Sequence, residues 1–240
     1  MLRVKLTKRD IHLLYDLYSN VFLSFEQIRR EHFKNCATST VYNRLSKLIK
    51  AHLIVSRNIN LSANNLLAKD VGVIYFVTQI GLKKLKVSWH GEIFRNFPAP
   101  INLNNVFHDL LLTDILRELK RKFSYSVSNT KIMDLSKLNL DQIPDALVID
   151  KKSNSNLAIE LELTAKSKQR YREIISNYAT NNLFDRVIYL VKDDGIIKKI
   201  GGIITGSGNH FEASEDTGKF EFINIKNLLK VQKSEVCSEL

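Results

Sequence analysis

"IPDALVIDKKSNSNLAIELELTAK", Ile143 to Lys166, decides the reading of this chain. It holds two short apolar runs, Ile143–Asp150 and Leu157–Leu163, joined by the polar turn "KKSNSN". Runs of this length around a turn read as a β-hairpin. Side chains alternate along a strand, so Ala158, Glu160 and Glu162 share one face and Leu157, Ile159, Leu161 and Leu163 the other. The two glutamates then stand roughly 7 Å apart along the strand. If the runs pair antiparallel, Asp145 near the start of the first meets the end of the second. Acids in apolar strands are costly unless paired or bound to a cation. Asp145, Glu160 and Glu162 are therefore a candidate metal site, and hard carboxylate oxygens suit Mg²⁺ or Mn²⁺. The competing expectation is a solvated, one-sided sheet face. Asp150, at the turn, reads as solvated.

The flanks build a domain around the hairpin. "NLNNVFHDLLLTDILRELKRKF" before it is amphipathic at helical spacing. "FSYSVSN" and "KIMDL" are weakly strand-like, "AKSKQRYREIISNYATNN" reads as a helix and "RVIYLVKD" as the strand after it. The order is αβββαβ with a mixed sheet. "GKFEFINI" adds an edge strand, and residues 233–240 read as a frayed tail.

The first third has a different pattern. Thr7 with Asp10, and Ser24 with Gln27, are capping signatures ahead of apolar periodic stretches. A third helix begins near Thr38, with Val41, Leu45, Leu48 and Ile49 on one face and Ser39, Thr40, Tyr42, Asn43, Arg44 and Lys47 on the other. "HLIVSRNI" and "VGVIYFVT" flank a polar loop as a second hairpin, and "TQIGLKKLKV" reads as a return helix. Three helices and a hairpin are the winged helix-turn-helix order, in which the third helix enters the major groove of DNA. Its polar residues suit that role: Arg44 and Lys47 for phosphate or guanine, Asn43 for adenine, Ser39 and Thr40 for phosphate at a helix start. The expected layout is a winged helix over 1–88, a connection over 89–102 containing Pro98 and Pro100, a mixed α/β domain over 103–232, and the tail.

Composition agrees with a nucleic-acid partner. The 240 residues carry 36 Lys and Arg against 25 Asp and Glu, a formal charge of +11 that favours a polyanion. Two widely separated cysteines give no disulfide or metal spacing, and no apolar run approaches the ~20 residues of a membrane span. A cytoplasmic protein with no membrane partner is the expectation.

Pro144-Asp145 followed by Glu160-Leu161-Glu162 resembles the PD-(D/E)XK nuclease superfamily, an acid opening one strand and a paired element on the next. Glu162 departs from the pattern, standing where lysine is usual; Lys166 could lean back from the following helix to replace it. With the winged helix, "NVFHDLLLTDIL", "IPDALVID" and "AIELELTAKSKQRYREIISNY", the chain resembles the replication-relaxation family, which includes MobC-type mobilisation proteins of plasmids. The resemblance runs nearly the whole chain to about Lys192. It implies a restriction-endonuclease-like second domain and a sequence-specific, Mg²⁺- or Mn²⁺-dependent endonuclease or relaxase that nicks a plasmid or mobile-element origin in mobilisation or replication. Asp145 and Glu160 would be ligands, Glu162 a further ligand or the residue that orients the water, and Lys166 would stabilise charge on the phosphate; His108 matches a histidine of the family's pattern, with a structural histidine as the alternative. Lys168 and Arg170 would hold neighbouring phosphates, with a solvated helix face as the alternative. Double-stranded origin DNA is the implied partner; single-stranded DNA, accessory mobilisation or replication proteins and a homodimer are further candidates. Tyr171 and Tyr178, seven apart on one helix face, read as core tyrosines, with a covalent tyrosine route as the alternative to hydrolysis. Against the enzyme stands a non-catalytic DNA-binding replication or transcription factor built on a degenerate nuclease fold; a junction resolvase fits the second domain but does not need the winged helix.

Overall fold

The computed structural model describes residues 4–59, 72–89, 93, 102, 105–123, 125–135, 138, 140–207 and 217–229. They form two compact units, Met1–Leu111 with Lys131–Asp134, and Leu112–Thr130 with Leu135–Leu240.

The first unit runs α1 (Lys8–Ser19), β1 (Leu23–Ser24), α2 (Phe25–His32), α3 (Thr38–Lys50), β2 (Ile54–Asn58), β3 (Val73–Val77) and α4 (Gln79–Ser88). Both capping signatures act as expected. Asp10 N donates to Thr7 Oγ1 at 3.3 Å and Thr7 N to Asp10 Oδ2 at 2.7 Å; Gln27 N donates to Ser24 Oγ at 3.2 Å and Ser24 N to Gln27 Oε1 at 3.1 Å. Each box satisfies donors that a helix start leaves open. The buried stripes of α1 (Leu13, Leu14, Leu17) and α3 (Val41, Leu45, Leu48) belong to one apolar core. β2 and β3 pair antiparallel, and the two-residue β1 completes the sheet in the order β1-β3-β2. The loop between β2 and β3 lies outside the described residues. α4 approaches the chain so closely at Gly81 that a Cβ there would lie 2.1 Å from the Leu53 carbonyl oxygen. Of the expected connection at 89–102, only Trp89, Ile93 and Asn102 are described.

The division between the units falls within α5 (Val106–Lys122). The second unit continues with β4 (Tyr125–Asn129), β5 (Ala146–Asp150), β6 (Ser155–Glu162), α6 (Lys168–Thr180), β7 (Arg186–Val191), α7 (Asp194–Ile204), β8 (Phe220–Asn224) and α8 (Ile225–Leu229). The sheet order is β4-β5-β6-β7-β8. β4, β5 and β6 pair antiparallel, while β6–β7 and β7–β8 are parallel, so the mixed αβββαβ sheet is present and β8 forms its edge.

Two elements depart from expectation. "KIMDL" is not a strand: Thr130–Ile132 form a 3-10 turn. Helix α7 was not anticipated, because its three glycines lower helix propensity and break the apolar rhythm. Packing overrides propensity there, with Asp193 capping the helix and Ile196, Ile197 and Ile200 buried. Residues 233–240 lie outside the described residues. Among the described residues, no helix is long and apolar enough to cross a membrane.

Candidate active site

The β5–β6 hairpin closes as its sequence requires. Ala146 pairs with Ile159, and the Asp145 N–H donates to the Ile159 carbonyl at 2.9 Å, which sets Asp145 beside Glu160. The Thr130 hydroxyl donates to the carbonyls of Pro144, at 2.7 Å, and Asp145, at 3.1 Å. Asp145 Oδ2 accepts from the Leu161 N–H at 2.8 Å. Backbone and side chain of Asp145 are thus both tied to the hairpin. At the turn, the Lys152 N–H donates to Asp150 at 2.9 Å and holds that exposed carboxyl below its ordinary range.

Glu160 and Glu162 share a face, as alternation demands, but that face is not solvated. β6 is buried at every residue from Leu157 to Glu162, and the glutamates are 5% and 2% exposed. Their face belongs to the core that includes Tyr171 and Tyr178 of α6 and Ile196 and Ile200 of α7. The solvated-sheet expectation is therefore overturned. Buried acids need donors, and α6 supplies them. The Tyr178 hydroxyl donates to Glu160 Oε1, Gln142 Nε2 donates to the same oxygen at 3.0 Å, and the Tyr171 hydroxyl donates to Glu162 Oε2 at 3.3 Å. The Lys166 ammonium is ion-paired with Glu162 Oε1.

The electrostatics separate the two glutamates. Burial, and then the negative charge of Asp145, push Glu160 up to about 7, against the pull of the Tyr178 and Gln142 donors and of Lys166. Burial pushes the Lys166 amine below its ordinary value, while Glu160 and Asp145 pull it back. Lys166 therefore senses the acidic group from the loop before α6, not from the helix itself as the sequence suggested. Tyr178 is raised by burial and by Glu160. Tyr189 of β7 lies opposite Glu160 in the strand register; its buried hydroxyl has no hydrogen-bond partner among the described residues.

A three-carboxylate ligand set is not what the side chains form. Among the described residues, no group of three His, Cys, Asp or Glu is arranged to hold a metal ion. Glu162, one pleat beyond Glu160, extends to Lys166 and Tyr171 instead. Asp145 and Glu160 remain as a pair. Their donor chemistry fits a divalent cation, since both present hard oxygens and the repulsion that raises Glu160 is what a cation would relieve.

Lys168 and Arg170 are exposed on the first turn of α6, behind the Ser167 cap, and Arg170 Nη1 lies 3.2 Å from Glu173 Oε2. His108, on the first turn of α5, belongs to the first unit. Its Nδ1 lies 3.3 Å from Asp109 Oδ1, and Asp109 is paired with Lys131 at 2.5 Å. On α3, Ser39, Thr40, Tyr42, Asn43 and Lys47 are exposed. Arg44 is the exception. Its guanidinium grips the fully buried Asp10, with Nε 2.9 Å from Oδ1, and also donates to the Lys5 carbonyl at 3.0 Å. Burial would raise the Asp10 carboxyl, but the Arg44 and Thr7 donors outweigh it and hold it below its ordinary range. Arg44 thus fastens α3 to α1 rather than facing outward with its neighbours, which corrects its reading as a DNA contact.

Sequence reasoning missed Gln142 and Thr130 as partners and Asp10 as the partner of Arg44, and took Tyr171 and Tyr178 for core, with a covalent route as the alternative. The seven-residue spacing of the tyrosines beside a Glu-x-Glu strand was the available signal.

No family model matches the chain, and no curated protein matches it. The solved structure of the SdaI restriction endonuclease aligns over 79% of this chain and 86% of that one, at 12% identity and a TM-score of 0.26. A score that low does not show a shared fold.

Proposed function

We propose that the chain is a divalent-metal-dependent DNA endonuclease, with a DNA-binding unit over residues 1–88 and a catalytic unit over 103–232. The observation that carries the reading is the Asp145–Glu160 pair, with Glu160 buried and Asp145 partly buried, and Lys166 at its side. A structural core has no need of two repelling acids and a desolvated amine, whereas phosphodiester chemistry uses this combination. Asp145 and Glu160 would hold Mg²⁺ or Mn²⁺, which when bound polarises a phosphate oxygen and acidifies a coordinated water. Thr130 and the Leu161 N–H fix Asp145, and Tyr178 and Gln142 fix Glu160. Lys166 supplies positive charge for the phosphate, and Glu162 orients it. Lys168 and Arg170 would hold adjacent phosphates, a role that their exposure supports. The hydroxyls of Tyr171 and Tyr178 are buried and engaged with carboxylates, which favours hydrolysis over a covalent tyrosine route. The α3 face and the net charge of +11 support double-stranded DNA as substrate. The family resemblance supports an origin of a plasmid or mobile element as the target and a cytoplasmic setting.

The test is nicking of supercoiled DNA carrying the element's own origin, with Mn²⁺ or with chelator. Wild type should nick only with metal; Asp145→Ala, Glu160→Ala and Lys166→Met should not nick but should still bind DNA. Nicking by all three variants would exclude this site. A non-catalytic DNA-binding protein is the second reading, favoured by Glu162 standing in the usual lysine place and engaging Lys166. Specific DNA binding by wild type, with no cleavage under any metal, would select it.

A further inference from the structure

Resting on the DNA-binding reading of α3, we propose that Tyr42 is the base-reading residue of that helix, and that it reads thymine through the 5-methyl group. The outward stripe of α3 is Ser39, Tyr42, Asn43 and Ser46, at the i, i+3, i+4, i+7 spacing of one helix face, with Lys47 and Lys50 beside it. All six are exposed, and the helix has no acidic residue along its length. The commonest specific contact in the major groove is arginine or lysine to the O6 and N7 of guanine, with arginine the planar fork that fits it bidentately. α3 has one arginine, and it is held by Asp10 and the Lys5 carbonyl. Lysine is a mobile point charge suited to phosphate, and Lys47 and Lys50 flank the stripe as its phosphate-positioning residues in this assignment.

Tyr42 is what remains at the centre of the stripe with a large contact surface. It is 52% exposed, although tyrosine gains by burying its ring. Its ring stacks on Phe25 of α2, with centroids 4.2 Å apart and planes 16° from parallel. The stack fixes the ring before any ligand arrives, so little rotamer freedom is lost on binding. A rigid, apolar aromatic surface on a cationic helix face matches the one apolar group that the major groove displays, the thymine methyl. Asn43, the next residue, carries the amide that pairs bidentately with adenine. Together they specify a site with thymine and adenine under the centre of α3, in place of a guanine-anchored one.

The experiment uses the full chain in chelator, so that no cleavage intervenes. Bound duplexes are selected from a random library, and each thymine of the selected site is replaced in turn by uracil, which removes only the methyl. Affinities are read by fluorescence anisotropy. At one position uracil should weaken wild-type binding by about fourfold, the value of one buried methyl. Tyr42→Ala should bind the thymine and uracil duplexes equally, and Tyr42→Phe, which keeps the ring and its stack, should retain the fourfold difference. A selected site at which no thymine responds to uracil, or a Tyr42→Ala protein that still discriminates, overturns the assignment while leaving DNA binding intact. Retention of duplexes with no enriched sequence overturns this assignment alone; a chain that retains no duplex overturns the DNA-binding reading as well and gives the α3 face to another class of partner.

Discussion

The Tyr178 hydroxyl donates to Glu160 between α6 and β6, with both side chains buried. This bond makes a catalytic proposal and a stability statement depend on the same atoms.

Tyr178→Phe removes the bond and keeps the ring. Glu160 then retains Gln142 as its side-chain donor, and the domain should lose about 1–3 kcal/mol in urea unfolding. The loss should be larger at pH 8, where the carboxylate is charged, than at pH 5, since hydrogen bonds to ions are the stronger ones. An equal loss at both values would separate the tyrosine from the ionisation of Glu160.

Glu160 gives a signed pH dependence. Its carboxyl is pushed up from 4.5 to about 7 by burial and by Asp145, so the folded state holds its proton more tightly than the unfolded chain does. The stability this contributes is full below about pH 4.5 and is lost as pH rises through about 7. In chelator, wild type should lose about 2–4 kcal/mol of unfolding free energy between pH 5 and pH 8 through this group. Glu160→Gln should flatten that decline and be more stable than wild type at pH 8. A slope unchanged in the variant would assign the pH dependence to other groups.

Metal should reverse the same decline. With Mn²⁺ at pH 8, the melting temperature of wild type should rise by several degrees, because a ligand of the folded state alone stabilises it by mass action. Asp145→Ala and Glu160→Gln should show no such rise. A full response in either variant would place the cation elsewhere.

Arg44→Ala leaves Asp10 buried without its guanidinium. Loss of one partner of a buried pair costs about 3–5 kcal/mol; Thr7 still donates to Asp10, so we expect about 3 kcal/mol by chemical denaturation. Lys47→Ala should do the opposite, leaving stability within about 0.5 kcal/mol and lowering the salt dependence of DNA binding by about one phosphate contact.

The legible parts of this fold were those written in local patterns. Strand alternation put Glu160 and Glu162 on one face, the polar turn fixed the hairpin, and the Thr7–Asp10 and Ser24–Gln27 spacings marked two helix starts. Contacts between distant segments were scarcely legible. The seven-residue tyrosine spacing is the one sequence hint that Tyr178, eighteen residues on, reaches back to Glu160, and nothing near Glu160 announces Gln142. Arg44 looks outward on a helical wheel, yet its long side chain bends to a capping aspartate 34 residues earlier, because an acid buried under α3 demands a cation. The glycines of α7 hid a helix that exists through its isoleucine stripe and its Asp193 cap.

Two tyrosines seven residues apart on α6 meet two glutamates two residues apart on β6, so helix and strand are riveted at two points. Removing a single residue between Tyr171 and Tyr178 would swing one hydroxyl about 100° around the helix axis and leave an acid stranded in the interior. This stretch of α6 therefore tolerates replacement far better than change of length. The rivets are also weaker than the obvious alternative. Leucines facing phenylalanines at the same four positions, with Lys166→Met to remove the amine left without Glu162, would bury more apolar surface and take two carboxylates out of the interior. Such a variant should melt higher and do nothing, a trade of activity for robustness that confines thermostabilising design to the opposite face of the sheet.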